Sequence, residues 1–262
     1  QDWTGRVAIT IDAANIDGLL TDFPVYVNLA DLGPSFWAGV QSDGRDIRVT
    51  AGDGSTELPI DLVEIDATNQ TGELHFLADR IDSGTDTNFH IYYGNSGASA
   101  YAPSDTYGRN AVWAAYEAVY HFEEDPAVGI TDKTGNGRDL TTTVGTAATT
   151  SGQLGTALDT TAGNVVLEDA TWTWNSGDNL YSSGLYFQNN FDTGSLWEWG
   201  ATCPTDNCIA FMPWYDNATR GYHRFGETSG NDYNFTRDNT IWHHFTTFGR
   251  ATDGEAVEIY ED

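Results

Sequence analysis

Turns that contain glycine and aspartate interrupt the first hundred residues roughly every 8–15 residues, a spacing that suits short strands better than helices. Clear examples are Asp43-Gly44 and Asp53-Gly54. Between the turns, apolar and polar residues alternate, as they do throughout Arg6–Ile11. Alternation of this kind is typical of a strand that places one face in a hydrophobic core. The pattern predicts an all-β sandwich.

The same alternation places the remaining strands of this region. Pro24 is expected at the start of its strand, where a missing backbone N–H is tolerated. A short helical turn is expected at Phe36–Val40. The expected strands are Arg6–Ile11, Phe23–Leu29, Ile47–Thr50, Leu62–Ile65, Glu73–Leu77 and Asn88–Tyr93.

The chain is strongly acidic, with 39 acidic and 11 basic residues and a formal net charge of −28. A surface of this sign repels nucleic acids and anionic membranes, so neither is an expected partner. The sequence has no apolar run of about 18 residues, and we therefore expect no direct membrane insertion. Two interpretations of the acidity stay open: a salt-adapted surface, and carboxylates that bind calcium.

Several motifs in the first hundred residues resemble the DUF2341 domain, a module of unknown biochemical function found in secreted and surface proteins. The motifs are Trp3-Thr4-Gly5-Arg6, Asp22-Phe23-Pro24-Val25, Asp43-Gly44-Arg45-Asp46-Ile47-Arg48-Val49-Thr50 and Ile91-Tyr92-Tyr93-Gly94-Asn95. The resemblance covers residues 1–108. It implies an extracellular or cell-surface protein, and it brings no recognisable catalytic set.

Residues 110–262 resemble a laminin-G-like, concanavalin A-like jelly roll. The motifs that carry this second resemblance are Ala118–Phe122, Asp132–Asp139 and Gly152–Asp159. We therefore expect a first sandwich at residues 1–100, a linker at 101–110 and a jelly roll at 111–262. The pattern lacks the last strands of such a domain, so we expect either that the sequence is a fragment or that another segment or a neighbouring subunit completes the sheet.

The best candidate metal ligands are Asp132, Asn136 and Asp139, which place three oxygen-bearing side chains within eight residues among glycines. Calcium binds 6–8 oxygen ligands, including backbone carbonyls, which makes it the expected cofactor. The alternative is an Asx-turn that satisfies its own backbone. A second acidic set consists of Asp43, Asp46 and Asp53, for which simple turn formation is the alternative.

Exposed aromatic residues are candidates for sugar binding, because the apolar faces of sugar rings stack on them. Trp172 and Trp174 share one face of any strand that contains them. The alternative is packing of both rings in the core. The expected ligand-binding set is Trp172, Trp174, Asn175, Asp178, Trp214 and Tyr215.

The two cysteines, Cys203 and Cys208, flank a turn-forming sequence. In an oxidising compartment they can close a small disulfide loop. A zinc site would need further ligands beside them, and none is evident. We expect the disulfide.

Enzyme-like fragments do not form a catalytic set. Glu64-Ile65-Asp66 is similar to the paired acids of concanavalin-type glycosidases, but Asn69 stands where the third acid belongs. We therefore expect a non-enzymatic adhesion or ligand-binding protein, stabilised by calcium, with a glycan or surface ligand as partner. The first alternative is a structural subunit of a filament, surface layer or virion appendage that is closed by strand donation. The second is a polysaccharide-degrading enzyme.

Overall fold

The computed structural model describes residues 3–159 and 166–169, followed by the backbones of seven strands between Asn179 and Glu261. The chain divides into two compact units, Gln1–Thr171 and Trp172–Asp262. Antiparallel strands dominate the described residues of both units, which confirms the all-β prediction. That residues 111–262 form a jelly roll stays a prediction.

The first unit contains a four-stranded sheet of order β1-β7-β3-β4 and a three-stranded sheet of order β2-β6-β5. Two short helices, α1 (Pro34–Gly39) and α2 (Arg109–Val112), accompany the sheets. All six predicted strands and the helical turn are confirmed, with shifted ends. The strands are β1 (Gly5–Ile11), β2 (Leu20–Asn28), β3 (Arg48–Ala51), β4 (Glu57–Leu58), β5 (Ile60–Asp66), β6 (Thr71–Ile81) and β7 (Thr87–Tyr93).

The hydrophobic core lies between these two sheets. Phe76 of β6 and Phe89 of β7 are both fully buried, and their ring centroids are 4.9 Å apart. Leu74 and Ile91 are likewise inaccessible to solvent. Each such side chain contributes roughly 1.5–3 kcal/mol through removal of its apolar surface from water. These residues occupy the apolar positions of the predicted alternation, which lie on the inner faces of the two sheets.

The position of Pro24 differs from the prediction. It lies inside β2, opposite Leu77 of β6, because the strand begins at Leu20. The sheet order makes β2 an edge strand, so the missing N–H of Pro24 does not interrupt a ladder between two neighbours. Asp22 adopts a φ of 50° just before it, where the pairing with β6 skips one residue.

Strand β6 is buried on both faces, although only one face of its sheet packs against the hydrophobic core. Leu74 and Phe76 point to the core, yet Glu73 and His75 on the opposite face are also buried. The chain after β7 covers this face: the carbonyl of Tyr107 accepts a hydrogen bond of 3.0 Å from the amide of Ile60 on β5. The compact units divide after Thr171. The expected linker at 101–110 stays a prediction.

The remainder of the first unit consists of short paired strands. β8 (Thr141–Val144) pairs with β11 (Val166–Glu168), and β9 (Ala148–Ser151) pairs with β10 (Thr156–Asp159). No helix in the described portion of the chain is long and apolar enough to cross a membrane.

The second unit contains two antiparallel sheets, of order β12-β17-β18 and β13-β14-β15-β16. Their strands are β12 (Asn179–Tyr186), β13 (Trp197–Trp199), β14 (Ile209–Met212), β15 (Arg220–Phe225), β16 (Ser229–Asn234), β17 (His243–Arg250) and β18 (Glu258–Glu261).

Candidate functional site

A cluster of buried ionisable side chains lies on the outer face of the β2-β6-β5 sheet. His75 of β6 lies directly between Tyr26 of β2 and Asp61 of β5 in the strand register. Glu73 stands two residues before His75, so both side chains project from the same face of β6. The strand pairing alone therefore assembles a row of polar side chains on one sheet face.

Two side chains from the later part of the unit complete the cluster. Trp113, at the C-terminal end of α2, donates a hydrogen bond of 2.7 Å from its indole Nε1 to Oδ2 of Asp61. His121 follows in an extended segment, and its Nε2 lies 3.1 Å from the same Asp61 oxygen. We refer to Asp61, Glu73, His75, Trp113 and His121 as the acid–histidine cluster.

The two histidines approach Glu73 from the same side. Nε2 of His75 lies 2.8 Å from Glu73 Oε1, and Nδ1 of His121 lies 3.9 Å from that oxygen. The imidazole rings are stacked, with centroids 5.1 Å apart and planes 20° from parallel. Glu73, His75 and His121 each offer a ligand atom, and these atoms all lie within 4.8 Å of one another.

The cluster is shielded from solvent, with side-chain exposures of 5% for Asp61, 8% for Glu73 and 10% for His121. Burial opposes ionisation of Asp61, but hydrogen bonds from His121 and Trp113 and the nearby histidine charges outweigh it and hold the pKa of Asp61 below its ordinary value. Asp61 is therefore an ionised hydrogen-bond acceptor. Burial, followed by the charges of Glu73 and Asp31, raises the pKa of Tyr26.

The backbone of the β9-β10 hairpin approaches Glu73 closely and covers its side chain. Gly155 has a φ of +54°, and a Cβ at that position would lie 2.8 Å from Oε2 of Glu73. A side chain there would meet both the left-handed backbone conformation and the carboxylate. Glycine at this position lets the hairpin close over the cluster.

The predicted calcium loop is bonded to its own chain. Asp132 is 3% exposed, and its carboxylate accepts hydrogen bonds from the amides of Val119, Thr134 and Arg138 and from the Thr134 hydroxyl. Those bonds outweigh the opposing effect of burial and lower the pKa of Asp132. Asp139 accepts the Asp132 amide at 2.9 Å. The bond from the Thr134 amide is that of an Asx-turn, and the bonds from Val119 and Arg138 connect the loop to more distant parts of the chain.

Asn136 braces the same loop through its side chain. Its Nδ2 donates to the carbonyls of Tyr116 and Glu117, in both cases at 3.1 Å. The loop is thereby tied to the segment that leads from Trp113 to His121. Calcium binding by Asp132, Asn136 and Asp139 stays a prediction.

The second acidic set is divided among separate turns. Asp46 is fully buried and accepts the amides of Gln41, Gly94 and Asn95. Asp43 is exposed and contacts Arg45. Asp53 caps its own turn by accepting bonds from Ser55 and Thr56, which lowers its pKa to about 2. That Asp43, Asp46 and Asp53 bind a metal also stays a prediction.

Three of the four motifs that suggested the family meet at one structural junction, where Asp46 also accepts the amides of Gly94 and Asn95. Arg48 stacks on Tyr101 with its guanidinium carbon 4.1 Å from the ring centroid, and it donates to the carbonyl of Ser99 at 2.7 Å. Trp3 donates to the carbonyl of Asp46 at 3.0 Å. The junction ties the β3 region to the end of β7, so its residues serve the scaffold.

The predicted aromatic and cysteine sites fall outside the described residues. This applies to the ligand-binding set and to the disulfide pair. They are Trp172, Trp174, Asn175, Asp178, Trp214 and Tyr215, and Cys203 and Cys208.

Sequence reasoning missed the acid–histidine cluster. The only local signal is the Glu73-Leu74-His75 spacing in a predicted strand, which puts an acid and an imidazole on one face. His121 lies 46 positions after His75 in the numbering, and nothing in the spacing indicates that the two rings stack. A domain boundary at 101–110 would also have separated them.

The fold and the cluster define an all-β module with a buried carboxylate–histidine site. Residues 43–127 match the family model described as "Domain of unknown function (DUF2341)", which confirms the predicted resemblance for residues 43–108. The match continues to residue 127, into the range expected to belong to the jelly roll. The match includes every member of the acid–histidine cluster. No curated protein and no solved structure matches the chain.

Proposed function

We propose that this chain is a non-enzymatic, extracellular or cell-surface protein that binds a ligand, with a glycan as the expected ligand. The first unit is the rigid scaffold in this proposal. The observation that carries it is the way the acidic turns close on their own backbone, which makes the rims of the sandwich stiff. Rigid scaffolds with structured loops are a common architecture of binding proteins because little ordering entropy is lost when a ligand binds.

The turn at Asp66 illustrates this closure. Its carboxylate accepts the amides of Thr68 and Asn69 at 2.8 and 3.0 Å and the Asn69 side chain at 2.6 Å. These bonds lower the pKa of Asp66. A carboxylate held in this way fixes the turn between β5 and β6 and does not serve as a proton donor. The turn carboxylates therefore support a binding scaffold.

The burial of the acid–histidine cluster also argues against hydrolysis of a polysaccharide by this protein. A glycoside hydrolase needs two carboxyl groups that flank an accessible bond. Asp61 and Glu73 are instead covered by Trp113, His121 and Gly155. A polysaccharide chain has no access to them in this arrangement.

A glycan array probed with the labelled full chain tests the proposal, together with reducing-end release from the same polysaccharides. Saturable binding without release supports it. Release of reducing ends that tracks the folded protein would replace it with the enzymatic alternative. Absence of binding to any glycan, at concentrations well above those used for weak lectins, would remove the glycan assignment.

Calcium is proposed as the stabilising ion of this protein, because 39 acidic residues repel one another unless cations reduce their charge. The proposed ligands are the side-chain oxygens of Asp132, Asn136 and Asp139, together with backbone carbonyls. The test is the melting temperature in millimolar calcium and in excess chelator. Equal values in both would exclude a structural calcium ion.

A second function, a structural subunit closed by strand donation, is favoured by the order of the β12-β17-β18 sheet. β18 is its outer strand and pairs with β17 alone among the described residues. An open strand edge can accept a strand from a neighbour. Size-exclusion chromatography with light scattering tests this: concentration-dependent oligomers favour it, and a stable monomer at all concentrations contradicts it.

A further inference from the structure

We propose that Glu73, His75 and His121 form a binding site for a divalent transition-metal ion of the zinc class, oriented by Asp61 and Trp113. This inference is independent of the proposed ligand and of the calcium proposal. It rests on the convergence of the donor atoms, the tautomer that Asp61 imposes, and the charge buried with them.

The donor atoms have the spacing that a small ion requires. Zinc binds histidine nitrogen and carboxylate oxygen at about 2.0–2.2 Å, which places two ligand atoms of a tetrahedral site roughly 3.3 Å apart. The distances from Glu73 Oε1 to His75 Nε2 and His121 Nδ1 are 2.8 and 3.9 Å and lie on either side of that value. Small rotations of the side chains bring all three atoms into one coordination sphere.

Asp61 sets the tautomer of His121. Oδ2 of Asp61 accepts the indole N–H of Trp113 at 2.7 Å and lies 3.1 Å from Nε2 of His121, so Nε2 of His121 carries the proton between them. In the neutral ring, Nδ1 then presents a lone pair, and Nδ1 is the atom that faces Glu73. The lone pair of His121 Nδ1 and the carboxylate oxygen of Glu73 lie 3.9 Å apart, and a cation between them would attract both.

The Asp61–His121 pair also has the form of a second coordination shell. Metal-bound histidines donate their other ring N–H to a carboxylate, which fixes the ring and raises its basicity. Trp113 in turn fixes the carboxylate by donating to the same Oδ2 at 2.7 Å. The chain thus holds His121 through its Nε2 and leaves its Nδ1 directed at Glu73.

The charge of the cluster points in the same direction. Coordination requires neutral imidazoles, and without the histidine charges the negative charges of Asp61 and Glu73 are costly to bury. A divalent cation cancels them. When it binds, a neutral His75 moves its ring proton from Nε2 to Nδ1, because a coordinated imidazole nitrogen must be unprotonated.

The preferred ion follows from the ligand types. Two imidazoles and one carboxylate suit zinc and its neighbours, whereas calcium and magnesium prefer oxygen ligands throughout. Three protein ligands leave a fourth position for water. The site would then clamp the segment around His121 onto β6 and so hold the cover over the sheet.

The test is titration of the chelator-stripped full chain with Zn²⁺ against a chromophoric chelator, and with Co²⁺ as a spectroscopic probe. We expect one zinc equivalent and a visible Co²⁺ absorption band of tetrahedral intensity. His75→Gln and His121→Gln should abolish both, while His90→Gln, on β7 outside the cluster, should retain both. Asp61→Asn should weaken zinc binding by about 10–100-fold, since it acts through His121.

Absence of tight zinc binding by the folded wild-type chain would overturn the proposal, as would equal binding by folded His75→Gln and His121→Gln. If those variants fail to fold, the wild-type chain still decides the question. Among its six histidines, ring nitrogen NMR signals from two should change on adding one zinc equivalent. Uniform small changes at all six would indicate surface binding only and contradict the proposal.

Discussion

Replacement of the buried Asp46 should reveal how much one carboxylate contributes to the first unit. Its Oδ1 accepts the amide of Gln41 at 3.0 Å, and its Oδ2 accepts the amides of Gly94 and Asn95 at 2.7 and 3.2 Å. The bond from Gln41 closes the chain before β3, and the bonds from Gly94 and Asn95 join that segment to the chain after β7. The perturbation is Asp46→Asn, which preserves the shape of the side chain and removes one acceptor.

The magnitude follows from the bonding pattern. The side-chain oxygen of asparagine can still accept the amides of Gly94 and Asn95. Its NH₂ group then faces the amide of Gln41, so the bond from Gln41 is lost. A hydrogen bond to a charged group is worth about 1.5–3 kcal/mol. The two retained bonds change from charged to neutral acceptors and weaken by about 1 kcal/mol each. The smaller desolvation cost of a neutral side chain offsets part of this loss. We expect a net destabilisation of about 2–4 kcal/mol.

Native-state hydrogen exchange with mass spectrometry is the suitable assay, because it measures the free energy of unfolding for peptides of each unit separately. Peptides of β3 and β7 should lose the predicted amount, while those of β14 and β15 in the second unit serve as an internal reference. Asp43→Asn is the matched control, since Asp43 is exposed and should change stability by no more than about 0.5 kcal/mol. A loss below about 1 kcal/mol for Asp46→Asn would refute the argument that these amides depend on the carboxylate.

Three further predictions concern the cluster and its surroundings. The pKa of Asp132 lies below its ordinary value of 3.8. The stabilising contribution of Asp132 is therefore complete above that pH and disappears as the pH falls through the folded-state pKa. Asp132→Asn should flatten the acid limb of a stability–pH curve, and an unchanged limb would contradict this. Gly155→Ala should cost about 1–2 kcal/mol from the left-handed backbone and more if Glu73 cannot move, as measured by urea unfolding; a neutral effect would show that the hairpin is not held there. Trp113→Phe should cost about 1.5–3 kcal/mol, because the Asp61 carboxylate loses a buried donor; exchange rates of β5 amides equal to wild type would argue against it.

The strands of the first unit were predictable because each is encoded locally. In β1 the alternation seen in the sequence reappears as alternating exposure along Gly5–Ile11. In β7 the apolar positions Phe89 and Ile91 are the buried ones. Strand existence follows from such period-two patterns, whereas strand ends depend on partners elsewhere in the chain. Pro24 shows the difference: its role depends on β2 being an edge strand, which only the sheet order reveals.

The acidic turns were predictable as turns, but their partners were not. Asp53 bonds to Ser55 and Thr56, two and three residues further on, contacts that short-range rules anticipate. Asp46, in the Asp43–Thr50 motif, is instead buried against Gly94 and Asn95, 48 and 49 positions away. Composition therefore does not distinguish an exposed turn aspartate from a buried brace. The sequence interpretation grouped both into one metal site for that reason.

The acid–histidine cluster shows where local reasoning ends and the fold takes over. Asp61 and His75 are paired by strand register, but His121 reaches them only because the chain beyond β7 returns over the sheet. Burial of four titratable groups costs free energy that a simple packing role would avoid with hydrophobic residues. Inside the range that matches the family model, the chain instead keeps two acids, two imidazoles and an indole in mutual contact. That arrangement favours a role for the cluster in holding a cation rather than in packing alone.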